Sequence, residues 1–431
     1  MVNNIKIIKG NIIFTPSFGQ LKISENSFIV VVGKKVKGIY DRDGLPAEYQ
    51  SISVIDYGDA LIIPGFVDLH SHAPQFVNRG LGLDVELLPW LERYTFPAEA
   101  KYKEITYAEA VYKQVVRELW KWGTTRVVLF GTIHKEATAK LMELLAIGGL
   151  GGYVGKVNMD RNSPPILIET TQQSLADTEE FIKNTIDKYE LVKPIITPRF
   201  ALSCTPELMR GIGKLAKKYN LPVQSHLSEN TDEVAVVKKL HPECPNYASV
   251  YDKFGLFGQQ PTIMAHCIYN DDVEIELMAR NKVYVAHCPY SNINLSSGVA
   301  SIRKLIEKGV AVGLGSDISG GHEVSMAKVL AMAVQVSKLK WLETGKQEGF
   351  LTIAEGLYLA TKGGGSFFGK VGSFEEGYEF DALVIDDVCS EDSDPSQYSV
   401  EERLSRFIYI GDDKNIITRY VAGNKNEQPQ F

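Results

Sequence analysis

Two histidines stand two residues apart in the segment Pro64-Gly-Phe-Val-Asp-Leu-His70-Ser-His72. Successive side chains of a strand point to opposite faces, so residues i and i+2 share one face. His70 and His72 can therefore contact the same metal ion. Two imidazoles do not complete a metal site, and the rest of the chain must supply further ligands.

Three later apolar runs end in side chains that could be those ligands, namely His226, His266 and Asp317. Neutral imidazole and carboxylate are the ligands expected for zinc in a catalytic site that keeps one position open for water. In a barrel of parallel strands, the C-terminal ends of the strands form one ring, and active sites of this fold lie there. Unrelated polar residues would not be expected at the ends of four of the predicted strands. The pattern therefore predicts one metal centre at the ends of these strands.

The chain resembles the amidohydrolase superfamily and, within it, the guanine deaminases. The motifs that carry this resemblance follow the family order and are GFVDLHSHAPQ (65–75), LLPWLERYTFPAEA (87–100), TPRFALSCTPEL (197–208), SHLSEN (225–230), MAHC (264–267), AHCPYSNINLSSG (286–298) and GLGSDISGG (313–321). The ligand motifs indicate only the superfamily, whereas the LPW, YTFPAE and PRF motifs are similar to guanine deaminases. Tyr290 and Cys267 depart from the family pattern, in which Asn and Gly are usual, but neither is a candidate ligand.

The resemblance implies roles for the candidate ligands. In the superfamily pattern His70, His72, His226 and Asp317 bind the metal, while His266 either binds it or hydrogen-bonds the bound water. One Zn²⁺ per chain is implied, with Fe²⁺ as the alternative. A metal of this kind lowers the pKa of bound water from about 16 toward about 7, which supplies a hydroxide nucleophile at neutral pH. Asp317 is then expected to accept the proton of the water as general base.

Glu229 follows His226 by three residues in His-Leu-Ser-Glu. Deamination of an aromatic ring requires a group that protonates a ring nitrogen and later the departing amino group. The resemblance indicates Glu229 for this transfer. The sequence by itself would favour a surface glutamate within the acidic stretch 229–233.

Candidate substrate-binding residues come from separate motifs. Guanine presents O6 and N7 as adjacent acceptors, and the planar fork of Arg199 can donate to both, whereas adenine presents a donor in place of O6. Phe200 and Trp90 could pack on the ring faces, and Gln75 offers a donor and an acceptor to the opposite edge. The alternative for both aromatic residues is an ordinary position in the core. The implied reaction is the conversion of guanine and water to xanthine and ammonia.

Composition restricts the possible partners. The 431 residues carry a formal net charge of −7, with a pI near 5.7. Nucleic acid and anionic membranes are therefore not expected as partners, because binding them requires clustered positive charge. The chain shows no signal-peptide pattern and no run of about 20 apolar residues, which predicts a cytoplasmic protein. The five cysteines form an odd set without C-x-x-C spacing and predict no disulfide framework.

The order of the predicted elements indicates an α/β fold. Residues 1–62 are predicted as short strands, and from residue 63 strands alternate with amphipathic helices, as in βα units. The eight predicted barrel strands are 63–69, 125–131, 152–158, 193–200, 222–227, 261–266, 282–287 and 310–316. We therefore expect a (β/α)8 TIM-type barrel over 63–369, with a small β-sandwich domain built from both chain ends, residues 1–62 and 370–431. The resemblance also implies a homodimer.

Three other functions are compatible with parts of the sequence. His134-Lys-Glu136 matches half of the cytidine-deaminase zinc motif, but its P-C-x-x-C half is missing from the chain. Another amidohydrolase could deaminate a pterin, triazine, cytosine or adenosine-like ring with the same barrel and metal. The third alternative, a barrel retained only for binding, does not explain why the ligands and Glu229 are all present.

Overall fold

The computed structural model of this chain describes residues 5–41, 43–387 and 397–431. The N-terminal region consists of four strands, β1 (Ile5–Ser17), β2 (Gln20–Val32), β3 (Lys35–Tyr40) and β4 (Val54–Pro64). β2 pairs antiparallel with both β1 and β3, whereas β1 and β4 are parallel. The prediction of a strand-rich N-terminal region is confirmed.

A ring of parallel strands follows. Its members are β5 (Phe66–His72), β6 (Thr124–Phe130), β7 (Gly151–Gly155), β8 (Val157–Asn158), β9 (Val192–Pro194), β10 (Thr197–Pro198), β11 (Val223–Leu227), β12 (Thr262–His266), β13 (Tyr284–His287) and β14 (Ala311–Leu314). The strands β5, β6, β7 and β9 form one sheet, β11 to β14 form another, and β8 pairs with β10. Because β8 continues β7 and β10 continues β9, the ring has the eight strand positions that were predicted.

Backbone hydrogen bonds join the two half-rings at both seams. At one seam the amide of Gln224 donates to the carbonyl of Ile196, at 2.9 Å. At the other, the amide of Asp317 donates to the carbonyl of His70, also at 2.9 Å. The second bond brings Asp317, which follows β14, against the strand that carries His70 and His72.

The first barrel strand begins later than predicted. The apolar residues up to Pro64 belong to β4, and the barrel strand runs from Phe66 to His72 instead of over residues 63–69. Gly65 separates the two strands, and a Cβ atom at this position would lie 2.4 Å from the side chain of Thr125. His70 and His72 are consequently part of the strand, and their spacing of two residues places them on the same face.

Helices connect the barrel strands and follow the last of them. They are α1 (Leu87–Trp90), α2 (Phe96–Glu99), α3 (Ile105–Lys121), α4 (Lys135–Ile147), α5 (Thr171–Thr185), α6 (Pro206–Tyr219), α7 (Thr231–Leu240), α8 (Tyr247–Lys253), α9 (Asp272–Asn281), α10 (Pro289–Asn294), α11 (Ile302–Glu307), α12 (Met326–Glu343), α13 (Ile353–Tyr358) and α14 (Val400–Ile410). As predicted, Thr205 caps α6, and its hydroxyl accepts from the amide of Leu208 at 3.2 Å. Among the described residues, none of these helices is both long and apolar enough to cross a membrane.

Three C-terminal strands, β15 (Ala382–Ile385), β16 (Ile416–Val421) and β17 (Asn424–Lys425), complete the N-terminal sheet. β15 pairs antiparallel with β4 and with β16, so both chain ends contribute to one sheet, as expected. The strands hydrogen-bond as a single seven-stranded sheet in the order β17-β16-β15-β4-β1-β2-β3. Of the cysteines, Cys389 lies outside the described residues, and the other four are free thiols.

Candidate active site

The five candidate ligands come together at the C-terminal end of the barrel, and all five are buried. The Nε2 atoms of His72 and His226 lie 3.1 Å apart, and His70 Nε2 lies 3.1 Å from Asp317 Oδ1. His266 Nε2 lies 3.8 Å from Asp317 Oδ2. Ligand atoms of His70, His72 and His226 form one group within 4.8 Å, and those of His70, His266 and Asp317 form another. These residues form a potential metal site.

The protonation states in this cluster suit a divalent cation. Burial, followed by the effect of neighbouring His70, lowers the pKa of His72 and of His226 well below the ordinary value. His226 Nδ1 lies 2.5 Å from the carbonyl oxygen of Arg199, which can only accept, so Nδ1 carries the proton and Nε2 presents a lone pair. His70 Nδ1 forms no hydrogen bond within the described residues, and His70 Nε2 faces Asp317 Oδ1. Neutral imidazole nitrogens beside one carboxylate are a donor set for zinc.

Asp317 is held as a carboxylate in a strained position. Burial alone would raise its pKa, but His70, His266 and His72 outweigh burial and hold the pKa well below the ordinary value. Both Asp317 and His266 have left-handed backbone angles, with φ of 48° and 72°. Such angles cost of order 1–3 kcal/mol in a residue other than glycine and cluster at functional sites. The fold thus maintains strain at two of the candidate ligands.

Further polar residues hold the ligands in place, and sequence reasoning did not identify them. Asn292 Oδ1 lies 2.9 Å from His266 Nδ1. Asp68 accepts from the amides of His70 and Ser316, at 3.1 and 3.0 Å, and burial raises its pKa to about 6. Asp68 stands two residues before His70 on the same strand, and this spacing was the signal available in the sequence. Such partners orient the groups that bind a metal.

Glu229 is buried beside the cluster. Its Oε2 lies 3.4 Å from His266 Nε2, and Ser297 Oγ donates to its Oε1 at 3.5 Å. Burial, followed by the carboxylates of Asp317 and Glu233, raises the pKa of Glu229 well above the ordinary value. Its 5 % exposure rules out the surface position that the sequence also allowed. A buried acid next to the metal site has the surroundings expected of a proton carrier.

Glu233 fixes the backbone that carries Glu229, a contact that the sequence did not reveal. Its Oε2 accepts from the amides of Glu229 and Asn230, at 2.9 and 3.3 Å. Its Oε1 accepts from the hydroxyl of Tyr247 at 2.6 Å. The segment between β11 and α7 is therefore anchored by a buried carboxylate.

The predicted polar substrate contacts meet at Glu99, to which no role was assigned from the sequence. Arg199 Nη1 donates to Glu99 Oε2 at 2.6 Å, and Gln75 Nε2 donates to Glu99 Oε1 at 3.0 Å. The amide of Ser319 donates to Gln75 Oε1 at 3.2 Å. Glu99 lies in the YTFPAE motif, but nothing in its local sequence indicates either partner. The structure thus places Arg199 and Gln75 on one shared carboxylate.

One pocket connects these groups. Its walls are formed by His72, Gln75, Leu87, Trp90, Leu91, Arg199, Phe200, His226, Glu229, His266, Leu295, Asp317 and Gly320. Trp90 and Phe200 thus line the pocket, and Trp90 Nε1 also donates to the carbonyl of Leu81 at 3.1 Å. Among the predicted site residues only His70 is absent from these walls.

Comparison with known proteins gives a consistent result. The Amidohydrolase family matches residues 61–425. A guanine deaminase from Dictyostelium discoideum is 40 % identical, over 98 % of each chain, and one from Escherichia coli is 33 % identical, over 94 % of this chain and 91 % of its own. The crystal structure of guanine deaminase from C. acetobutylicum with bound guanine in the active site is similar with a TM-score of 0.96. It is 54 % identical and covers 98 % of this chain and all of that one.

Proposed function

This chain belongs to the amidohydrolase family, and we propose that it hydrolyses guanine to xanthine and ammonia. The observation that carries the proposal is that Arg199 and four of the five candidate metal ligands line the same pocket. Arg199 suits the polar edge of a purine, and the candidate ligands suit a metal that activates water. The similar proteins named as guanine deaminases support the same reaction.

Arg199 explains the choice of guanine. Its Nη1 is held by Glu99, and its other guanidinium nitrogens make no hydrogen bond with the described residues. Guanine O6 and N7 are adjacent acceptors that a guanidinium can contact together. Adenine would place an amino group against these donors. Trp90 and Phe200 provide the apolar surfaces for the ring faces.

His70, His72, His226 and Asp317 would hold zinc, and His266 would either join them or contact the water. When bound, zinc would lower the pKa of a water molecule and make it a nucleophile at neutral pH. We assign the role of general base to Asp317. No redox change occurs: a bond forms between the water oxygen and C2 of guanine, and the bond from C2 to the amino nitrogen breaks.

Glu229 would carry the protons. Protonation of N3 makes C2 more electrophilic, and protonation of the amino nitrogen allows it to leave as ammonia. The burial of Glu229 and its position beside His266 support this assignment. Ser297 contacts one of its oxygens and would orient it.

Other features remain predictions from the sequence. We propose zinc in preference to iron because imidazole and carboxylate ligands suit a catalytic zinc site. We also propose that the protein is a homodimer and lies in the cytoplasm. Neither nucleic acid nor a membrane is proposed as a partner. The division into a barrel domain (63–369) and an end-sheet domain (1–62 and 370–431) is likewise proposed.

The direct test is ammonia release from guanine by purified protein whose metal content has been measured. We expect stoichiometric xanthine and ammonia, and strong discrimination against adenine. A small panel should also contain a pterin, a triazine, cytosine and adenosine. Preference for any of these would overturn the substrate assignment, and zero turnover by zinc-loaded protein would favour a barrel that only binds.

A further inference from the structure

Glu99 occupies a central position between two side chains of the substrate pocket. Glu99 is the last residue of the short helix α2 and is only 2 % exposed. One carboxylate oxygen accepts from Arg199 and the other from Gln75. Burying a carboxylate with an arginine costs desolvation energy that the attraction repays only when the geometry is good.

The helix α2 controls the orientation of the guanidinium. Glu99 holds Nη1 at 2.6 Å, and the guanidinium carbon lies 5.1 Å from the ring centroid of Phe96. Phe96 and Glu99 are the first and last residues of α2. A hydrogen bond at one nitrogen and a ring against the planar face together restrict the rotation of the fork. The remaining donors of Arg199 are then fixed in direction before a substrate arrives.

Glu99 also decides which atom Gln75 presents. The amide of Ser319 can only donate, which requires the oxygen of Gln75 at that position. The Glu99 carboxylate can only accept, which requires the nitrogen of Gln75 on its side. The two contacts agree, so the amide has one orientation. Its nitrogen keeps a second hydrogen that is available to a ligand.

We propose that Glu99 is a positioning residue that determines specificity, because it orients Arg199 and Gln75 toward the polar edges of the purine. The inference rests on the proposed function. Glu99 itself takes no part in water activation or proton transfer. Its loss should therefore reduce discrimination between purines more than it reduces the chemistry at C2.

The test compares guanine with 2-aminopurine, which has the same amino-bearing carbon but no oxygen at C6. The wild type should favour guanine strongly, since a site built on hydrogen bonds can reject an analogue that lacks them by about 10⁴-fold. Where 2-aminopurine turns over too slowly, its inhibition constant against guanine replaces kcat/KM. In Glu99→Gln one acceptor oxygen becomes a donor that faces another donor. We expect the preference for guanine to fall by about 10- to 100-fold, as for the loss of a charged hydrogen bond.

Three matched variants separate positioning from folding. Glu233→Gln alters another buried carboxylate, one that holds the segment with Glu229, and should slow both substrates by the same factor. Tyr102→Phe removes a buried hydroxyl near Glu99 that makes no hydrogen bond within the described residues, and should leave the preference unchanged. Glu99→Asp keeps the charge at a shorter reach and should retain an intermediate preference.

Two results would be decisive against the inference. Equal loss of guanine and 2-aminopurine activity in Glu99→Gln, with normal zinc content, would reduce Glu99 to a structural role. If Glu99→Gln does not fold, a wild-type preference in Glu99→Asp would have the same meaning. A wild type that does not deaminate guanine would instead overturn the proposed function, so the two failures are distinguishable.

Discussion

The two sides of the pocket are built in different ways. The metal cluster (His70, His72, His226, His266 and Asp317) stands on barrel strands and the ends that follow them, and its ligand atoms face one another without complete hydrogen bonding. The recognition arm (Gln75, Glu99 and Arg199) comes from connecting segments, and its three side chains are joined by hydrogen bonds to the Glu99 carboxylate. One side is a potential metal site whose donor atoms a cation would satisfy, whereas the other is ordered by its own contacts.

This difference has a physical origin. Neutral imidazoles present lone pairs that repel at short distance, and a divalent cation removes that conflict. Under the proposed function, the recognition arm discriminates between rings of the same shape, which favours donors that are fixed before binding. We therefore expect variants in the metal cluster to affect metal and turnover together. Variants in the recognition arm should change the substrate preference while the metal is retained.

The largest effect is expected for His72→Ala. Loss of this imidazole removes one of the ligand atoms grouped within 4.8 Å, so bound zinc and turnover should fall together to background. Metal analysis and ammonia release measure the two quantities on the same sample. His134→Ala is the matched control, because His134 precedes α4 outside the cluster and should keep both. Full activity in verified metal-free protein would contradict the assignment of the whole cluster.

Arg199→Met should have the next largest effect. Methionine keeps apolar bulk but removes the fork, so guanine turnover should drop by about 10³- to 10⁴-fold, the scale at which hydrogen-bonding sites discriminate. Zinc content should not change. Arg210→Met, on the exposed side of α6, is the control and should behave as wild type. Unchanged guanine kinetics in Arg199→Met would show that the barrel and the metal site are understood but the substrate contact is not.

Glu229→Gln tests the proton-transfer role that we propose for Glu229, a residue that belongs to neither side. The substitution preserves shape and removes the titrating group, and general acid-base catalysis contributes about 10²- to 10⁴-fold. Turnover should fall by at least about 100-fold for guanine and for 2-aminopurine alike. Zinc should remain bound. Loss of zinc in proportion to the loss of rate would place Glu229 among the metal ligands.

The two sides also differ in how far the sequence could predict them. Each candidate metal ligand ends or follows an apolar run, so residue type and strand position were sufficient to group these residues. Glu99 is 24 residues from Gln75 and 100 from Arg199, and only the tertiary fold joins the three. Local sequence has no signal for such pairing.

The boundaries of strands and helices also depend on tertiary contacts that local sequence does not reveal. The order of strands and helices, and the cap of α6, followed from periodicity and turn residues. The start of β5 did not, because the apolar run before Gly65 pairs with a strand from the far end of the chain. Pairing of Pro64 with Ala382 is a long-range contact, and periodicity cannot assign an apolar run to one of two sheets.

The smallest effect is expected for Thr205→Ala, which perturbs the scaffold between the two sides. Its hydroxyl caps α6 and also donates to Asp160 Oδ2 at 2.6 Å. Loss of a cap costs about 1 kcal/mol, which in a chain of this length lowers the melting temperature by only about 1 °C. Zinc content and the preference for guanine over 2-aminopurine should stay as in the wild type. Lys217→Ala, at an exposed position of the same helix, should leave the melting temperature unchanged. A changed preference in Thr205→Ala would mean that recognition depends on the start of α6 as well as on α2. The contacts among Gln75, Glu99 and Arg199 would then not be sufficient to order the recognition arm.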